Sequence, residues 1–484
     1  MKSIKKLLLL DYQSAAINKL SDEVKGIQQI KKSIIYVQNL KNGRDAGRKA
    51  RKHYTNTLLS LGGYLKKHGI DVFYLSIPDE AEFLEEKIQW ADAIYCWSTT
   101  PVFPFVKTMI RKARELKPSL ITILGGYHAS GLPEKTLEEL PQLDIVTIGE
   151  SEKAVMKLCE GIPALQIEGL AFREGTGIFV NRKNELLEPD EIPAPDYSLL
   201  NGDRRRYRYY LQTMYSCPFH CKYCVYSYFW GKVRFRSDDS IRDELIQLKS
   251  IMGISFDMHI LDTIVNYNPQ NVKRLTRIIQ ELGMSISFSA DIRPEYVNKA
   301  TLSDLEALGV KQLFIGFEDA NNTCRENAGR FMSNELFINA LSTIKENSSI
   351  LADCYWMLGL PGTSTETMHE NAEFAGYLIK EKLIESLCPD TVFVPLPGTP
   401  FYNQALNHGI LDLEKDWSLY RRSNYYPVYK LDTITQKDFV HGLFNFDKII
   451  IREQLKLLNM NEKDVLNLYF GENNRNNVEE FLLL

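Results

Sequence analysis

Four consecutive leucines, Leu7–Leu10, stand between a lysine-rich start and Asp11. A short apolar run bounded by charges reads as a strand buried on both faces. Similar runs recur at Ile70–Ile77, Ala91–Trp97, Leu120–Leu124 and Asp144–Ile148. Apolar residues return at helical spacing over Leu58–His68, Asp79–Trp90 and Phe103–Leu116, and Gly69 is placed to cap the first of these helices. Alternating strands and helices with nearly continuous apolar strands predict an α/β fold, a doubly wound Rossmann-like parallel sheet, over residues 1–165. Residues 11–57 interrupt it as a polar insertion. Its basic positions Lys41, Arg44, Arg48, Lys49, Arg51 and Lys52 make either a solvated helical face or a clamp on an acidic group.

Residues 166–205 carry Gly169-Leu-Ala-Phe-Arg173 and the string Glu188-Pro-Asp-Glu-Ile-Pro-Ala-Pro-Asp-Tyr197. Proline resists both helix and central strand, so this stretch reads as an extended, stiff linker. Strand and helix patterns then alternate again through residues 206–405. Strands are predicted at Tyr209–Tyr215, Phe256–Leu261, Ser285–Ala290, Lys311–Phe317, Ala352–Leu358 and Thr391–Val394. Helices are predicted at Ser240–Ile251, Asn271–Leu282, Ser303–Leu308, Asn334–Lys345 and Thr365–Ile379. Residues 406–484 are helical and rich in tyrosine.

Composition narrows the function classes. A chain of 484 residues holds two or three domains, and a net charge of −4 gives no strong pull toward nucleic acid. Leu7–Leu10 is too short for an export signal, and no run of 18 apolar residues predicts a membrane span. Cys96, Cys159, Cys324, Cys354 and Cys388 are scattered without disulfide or zinc spacing, as suits a cytoplasmic, reducing compartment.

The other three cysteines are not scattered. Cys217, Cys221 and Cys224 lie in Tyr215-Ser-Cys-Pro-Phe-His-Cys-Lys-Tyr-Cys-Val-Tyr226. Three thiolates on one short loop can hold three corners of a [4Fe–4S] cube and leave the fourth iron open to a small molecule. The alternative is three ordinary buried thiols. The Cys-x3-Cys-x2-Cys loop, with its aromatic flanks and preceding strand, resembles that of the radical S-adenosylmethionine (SAM) enzymes. That resemblance implies a partial (β/α)6 barrel for residues 206–405, with its chemistry at the carboxyl ends of the strands. The helical region 406–484 would then cover the open side and shape a substrate pocket.

The resemblance also assigns roles. Cys217, Cys221 and Cys224 would hold the cluster, whose open iron binds the amino and carboxylate groups of SAM. Tyr223 would pack on adenine. Glu318, in Ile315-Gly-Phe-Glu-Asp319, would bind the SAM ribose or amino group; a helix cap or a structural ion pair is its other reading. Arg293, in Phe288-Ser-Ala-Asp-Ile-Arg-Pro294, and Arg330, in Asn327-Ala-Gly-Arg, would fork onto the SAM carboxylate or form ion pairs. Gly359 and Gly362, in Leu358-Gly-Leu-Pro-Gly-Thr-Ser364, would lie close to adenine or serve only as a turn, and Pro395-Leu-Pro-Gly-Thr-Pro-Phe-Tyr402 follows the sixth strand.

The strand ends of the first sheet carry Ser98 and Thr99, then Gly125, Gly126, Tyr127 and His128, then Gly149 and Glu150. Leu124-Gly-Gly-Tyr-His-Ala-Ser130 and Thr147-Ile-Gly-Glu-Ser-Glu152, with Leu61-Gly-Gly-Tyr-Leu-Lys-Lys-His-Gly-Ile-Asp-Val72, resemble the cobalamin-binding domain of cobalamin-dependent radical SAM enzymes. Asp-x-His-x-x-Gly, which supplies an imidazole to cobalt, is absent; Asp257-Met-His-Ile-Leu-Asp262 lacks the glycine and lies in the wrong domain. The family likeness implies three cofactors: a [4Fe–4S] cluster, SAM and cobalamin. It implies a methyltransferase acting on an unactivated carbon of a small molecule or peptide, served by a flavodoxin- or ferredoxin-like electron donor. Cyclisation, rearrangement or oxidation with the same cofactors is the alternative. A tRNA methylthiotransferase is a weaker one, because three further cysteines before residue 200 would be expected and only Cys96 and Cys159 occur there.

Overall fold

Burial on both faces puts the leucine run in the middle of a sheet. β1 (Lys6–Tyr12) lies between β2 (Asp71–Ile77) and β3 (Ala93–Trp97), followed by β4 (Ile121–Gly125) and β5 (Ile145–Thr147), all parallel. The computed structural model describes residues 3–12, 29–35, 37–38, 52–175, 177–183, 185–387, 392–411, 416–421 and 427–465. Helices Asn56–Lys67, Leu84–Trp90, Phe103–Leu116 and Glu152–Cys159 run between the strands. Strand order reverses at β1, so the ligand crevice of such a sheet lies beyond the carboxyl ends of β1 and β3.

The sheet is larger than the sequence pattern predicts. β6 (Leu170–Glu174) and β7 (Gly177–Asn181), expected to be linker, add an antiparallel hairpin to the edge of β5. Leu170 and Ala171 are buried against that edge, and an antiparallel pair needs no helical crossover. The rest of the linker is clamped rather than extended in solvent. Gly62 and Gly63, on the buried helix 56–67, let it pass: a Cβ on Gly62 would meet Leu199 at 2.4 Å, and one on Gly63 would meet the Ala194 carbonyl at 3.1 Å. Lys66 Nζ ties Asp196 at 2.6 Å, and the Tyr197 hydroxyl donates to Glu244 at 2.6 Å.

The second unit is a six-stranded parallel sheet. Its order is β8 (Tyr210–Leu211), β11 (Ser255–Ile260), β12 (Ser285–Ile292), β13 (Val310–Glu318), β14 (Leu351–Trp356) and β15 (Ser386–Leu387). The strand predicted at Tyr209–Tyr215 splits in two. Asp262 accepts from the Thr213 and Met214 amides at 2.6 and 2.8 Å, which takes them off the ladder. β9 (Met214–Tyr215) then pairs with β10 (Arg234–Phe235) instead. The sixth strand pairs earlier than Thr391–Val394, because Asp353 accepts from both the amide and hydroxyl of Ser386; Val392 makes only a bridge to Leu358.

The carboxyl ends of the two sheets are held together by a buried ion pair. Both terminal guanidinium nitrogens of Arg234, on β10, donate to Glu150 after β5, and the two side chains are 3% and 2% exposed. Nearby, Gly131 and Gly398 touch backbone to backbone: a Cβ on Gly131 would meet the Pro397 carbonyl at 2.7 Å.

Helix Gln436–Leu458 packs on helix Thr365–Lys380 through Gly442 and Gly376. Lys31 reaches its Asp447 at 2.7 Å, both buried, so the insertion docks there through Ile34 and Val37. Of the six basic positions singled out in the insertion, only Lys52 is described; it forms a bridge to Tyr207 and pairs with Asp79 at 3.0 Å. Lys41, Arg44, Arg48, Lys49 and Arg51, like Cys388 and residues 466–484, lie outside the described residues. Among the described residues no helix is long and apolar enough to cross a membrane.

Arg234→Met leaves the Glu150 carboxylate buried without its counter-charge. It should destabilise the fold by about 3–5 kcal/mol, and an apolar replacement of both residues should recover most of that. Urea unfolding followed by tryptophan fluorescence checks both; an unchanged midpoint in Arg234→Met would show that the pair does not hold the sheets.

Candidate active site

The cysteine loop begins on a strained residue. Ser216 has φ +70°, unusual for a residue with a side chain, and its hydroxyl donates to the Gly231 carbonyl at 2.6 Å. The turn reverses the chain sharply out of β9. Neighbours then fix the loop: Lys222 N donates to the Ala328 carbonyl at 3.0 Å, and Phe401 N donates to the Lys222 carbonyl at 3.2 Å. Cys217, Cys221 and Cys224 are free thiols. Burial pushes the Cys224 thiol up to about 12, and Cys221 and Cys217 act in the same direction. Burial also raises the Cys221 thiol, opposed by Arg330 and Arg293. Such thiols ionise only when a strong positive centre replaces the lost water.

Beside the loop is a cavity of about 260 Å³, lined by Tyr223, Cys224, Tyr226, Glu318, Tyr355 and Met357, with Val394 and Leu396 closing one side. The Tyr223 hydroxyl donates to Glu318 Oε1 at 2.9 Å. Glu318 sits at φ +78° where the β13–β14 register slips, which turns its carboxylate back toward the strand end. Gly316 makes the room. A Cβ there would lie 2.7 Å from Glu318 Oε1 and 3.3 Å from Arg330 Nη2. Arg330 donates to the Gly316 carbonyl and keeps a buried Nε with no partner.

The other barrel residues singled out from sequence lie elsewhere. Arg293 pairs with Glu295 at 2.6 Å and covers the Phe219 ring at 3.6 Å, so it braces the cysteine loop. Gly359 is packed under Phe439 and Tyr429, and Gly362 beside Asn327 and Cys324. Neither lines the cavity; their positive φ values of 96° and 100° serve the turn after β14.

At the strand ends of the first sheet, Gly126 has φ +97°, and a Cβ there would meet the Ser98 backbone at 2.5 Å. The loops after β3 and β4 therefore lie flat on each other. Ser98 is buried, its hydroxyl donating to the Thr99 carbonyl at 2.7 Å. A side chain on Gly125 would strike the Tyr95 hydroxyl, which bonds Ser151 at 2.6 Å. Gly149, at φ +74°, donates its amide to Ser130 Oγ at 3.0 Å. Two residues expected at a ligand are occupied otherwise. Glu150 accepts from Arg234 and from the Leu187 amide at 2.9 Å, so its acceptors are used. His128 is turned into the core, its ring stacked on Phe103 at 4.1 Å and edge-on to Trp417 at 5.0 Å. Burial, with Lys107 and Lys135 nearby, drops its pKa to about 3. Trp97, Thr99 and Tyr127 remain half-exposed. Tyr127 touches Tyr226, Phe229 and Trp230 of the segment after the cysteine loop.

A family model described as the B12 binding domain matches residues 49–159, and one described as the radical SAM superfamily matches residues 211–375. The chain is a radical SAM protein with a B12-binding domain. It is 26% identical over 356 residues to an uncharacterized methyltransferase of Pyrococcus horikoshii, covering 72% of this chain and 75% of that one. It is 23% identical over 410 residues to the anaerobic magnesium-protoporphyrin IX monomethyl ester cyclase of Cereibacter sphaeroides, covering 80% and 64%. Among solved structures it superposes on the radical SAM methyltransferase TsrM from Kitasatospora setae, with cobalamin and a [4Fe–4S] cluster bound. The TM-score is 0.66 at 13% identity, over 93% of this chain and 91% of that one. OxsB, with aqua-cobalamin and SAM bound, gives a TM-score of 0.70 at 13% identity over 96% and 78%. At such identities the likeness is one of fold.

Among the described residues no group of three or more His, Cys, Asp or Glu is close enough to hold one metal ion. Three thiols on one rigid loop fit the thiolate ligation of a [4Fe–4S] cube, in which each binds a different iron. The unpaired Arg330 Nε and the Glu318 carboxylate offer opposite charges to an amino acid head group. In the B12-binding domain, the flat loops with Trp97, Thr99 and Tyr127 suit a flat macrocycle, and no histidine at these strand ends faces the barrel. Tyr226, Tyr355, Met357 and Leu396 escaped the sequence reading; polar–apolar alternation on the barrel strands is the signal that could have found Tyr355.

Replacing Cys217, Cys221 and Cys224 together by Ala should abolish the iron content, and the cluster's share of the visible absorption, of the anaerobically reconstituted chain. Iron and sulfide analysis checks it. Retention of four irons per chain would place the cluster on other cysteines.

Proposed function

We propose that the chain is a cobalamin-dependent methyltransferase that modifies an unactivated carbon of a small molecule or peptide. One observation carries the reading. The cavity beside the cysteine loop is walled by Tyr226, and Tyr226 also packs on Tyr127 of the B12-binding domain, 5.9 Å between ring centroids. That contact puts one wall of the cavity against the strand ends of the B12-binding domain, which supports methyl transfer between two cofactors. When bound, the cluster supplies the electron that cleaves SAM, and cobalamin carries the methyl group.

The protein's own part is positioning. Cys217, Cys221 and Cys224 hold the cluster at a rigid loop. Glu318 and Arg330 bind the amino and carboxylate groups of SAM, and Tyr223, fixed by its bond to Glu318, packs on adenine. Tyr355, Met357, Val394 and Leu396 keep water from a reactive carbon-centred species. The electron comes from a flavodoxin- or ferredoxin-like donor. A second reading keeps the cofactors and ends in cyclisation or oxidation; similarity to magnesium-protoporphyrin ester cyclases from several bacteria favours it.

SAM labelled with deuterium in its methyl group separates the two. Methyl transfer puts three deuterons into the product, read by mass spectrometry, and a product free of label decides for the second reading. Glu318→Gln keeps shape and loses charge. A hydrogen bond to a charged group is worth about 1.5–3 kcal/mol, so SAM affinity should fall roughly tenfold or more with iron content intact. Equilibrium dialysis of SAM measures this, and unchanged affinity would return Glu318 to a purely structural role.

A further inference from the structure

The inner face of the barrel is not a packed core. β11 and β12 alternate strictly, with Phe256, Met258, Ile260, Ile286, Phe288, Ala290 and Ile292 buried under the helices. The opposite face carries Asp257, His259, Ser289 and Asp291, joined by Gln312 and Phe314 of β13 and Tyr355 of β14, and it is half-exposed. A parallel sheet covered on both faces reads as continuous apolar strands, so a polar inner face implies contents other than side chains.

Near the mouth, one carboxylate stands out. Asp353 is saturated by Gln312 and Ser386. Asp291 is not. It accepts from the Tyr355 hydroxyl at 3.0 Å, and His259 Nε2 lies 3.6 Å from its other oxygen. Two oxygens offer about four acceptor sites, so capacity remains, and the side chain is 27% exposed. Ser289 holds His259 in place through Nδ1 at 2.9 Å. Aromatic rings wall the spot. Phe314 and Tyr355 lie nearly parallel with centroids 5.8 Å apart, and Tyr210 stands edge-on to His259. Tyr355 also lines the cavity that holds Tyr223, Cys224 and Glu318. Asp291 therefore lies one side chain below the floor of the SAM site.

We propose that Asp291, framed by Tyr355, Phe314 and His259, is the substrate anchor, and that it selects a substrate carrying a protonated amine. A single carboxylate among aromatic faces binds an ammonium by charge and by cation–π attraction, and it repels a carboxylate. This inference rests on the proposed radical SAM reading and names the substrate class of the same site. The substrate would enter with its amine down in the barrel and its reacting carbon up toward the SAM site.

Isothermal titration calorimetry of the reconstituted full chain tests it with phenethylamine and 3-phenylpropionate, which share an aryl-alkyl body and differ in charge. The amine should bind and the acid should not. Asp291→Asn should weaken amine binding roughly tenfold or more, and Asp291→Glu, which restores the charge, should keep the preference for amine over acid. No amine binding by the wild-type chain, equal binding in Asp291→Asn, or acid bound as well as amine would overturn the proposal. So would Asp291→Glu behaving like Asp291→Asn, since packing rather than charge would then be read. Iron content confirms that each variant is folded and loaded. Formation of 5′-deoxyadenosine by the reduced wild-type chain tests the parent reading by itself, so the two failures are distinguishable.

Discussion

Two parallel sheets end facing each other, and a carboxylate and a guanidinium buried between them keep them so. The Arg234–Glu150 pair joins β10, which follows the cysteine loop and the short helix Tyr226–Phe229, to the turn after β5. Removing two charges from water is costly, and only close two-nitrogen pairing with further hydrogen bonds offsets it. The Leu187 amide and carbonyl supply those bonds. Tyr127, on the loop after β4, meets Tyr226, Phe229 and Trp230 of the segment between the cysteine loop and β10.

Much of this architecture was legible in the sequence because each unit repeats a strong pattern. Helix Phe103–Leu116 coincides with its prediction at both ends, since Pro104 starts it and apolar residues recur at 3.6-residue spacing. The cysteine triplet was legible for a different reason: its spacing is chemically restrictive. What escaped notice depends on contacts between distant residues. Nothing local says that Gly62 and Gly63 make room for Leu199 and Ala194, or that Asp262 will draw Thr213 and Met214 off a strand.

The candidate residues divide along the same line. Glycines in Leu358-Gly-Leu-Pro-Gly stood out by conformational need, yet the need is that of a turn against Phe439 and Cys324. Glu150 and His128 stood out by chemistry at a strand end, and tertiary structure uses that chemistry for docking and packing. Glu318 is the contrasting case. Its left-handed backbone is strained; its carbonyl accepts from the Met357 amide and its carboxylate accepts from Tyr223. That carboxylate also lines the cavity beside Cys224.

The linker crossing at Gly62 and Gly63 bears on how the protein is made. Tyr197 and Leu199 belong to the core around β1 and helix 56–67, and Tyr207 and Tyr209 pack against Tyr54. A ribosome that has released only the strands and helices up to Cys159 has therefore not yet delivered the residues that close the hydrophobic interior. The amino-terminal unit must wait, partly open, until some fifty more residues emerge, at about 5–20 residues per second. During those seconds its strand ends are accessible from the side that the barrel later covers. A bulky cofactor has its widest path to that face while the chain is still being synthesised.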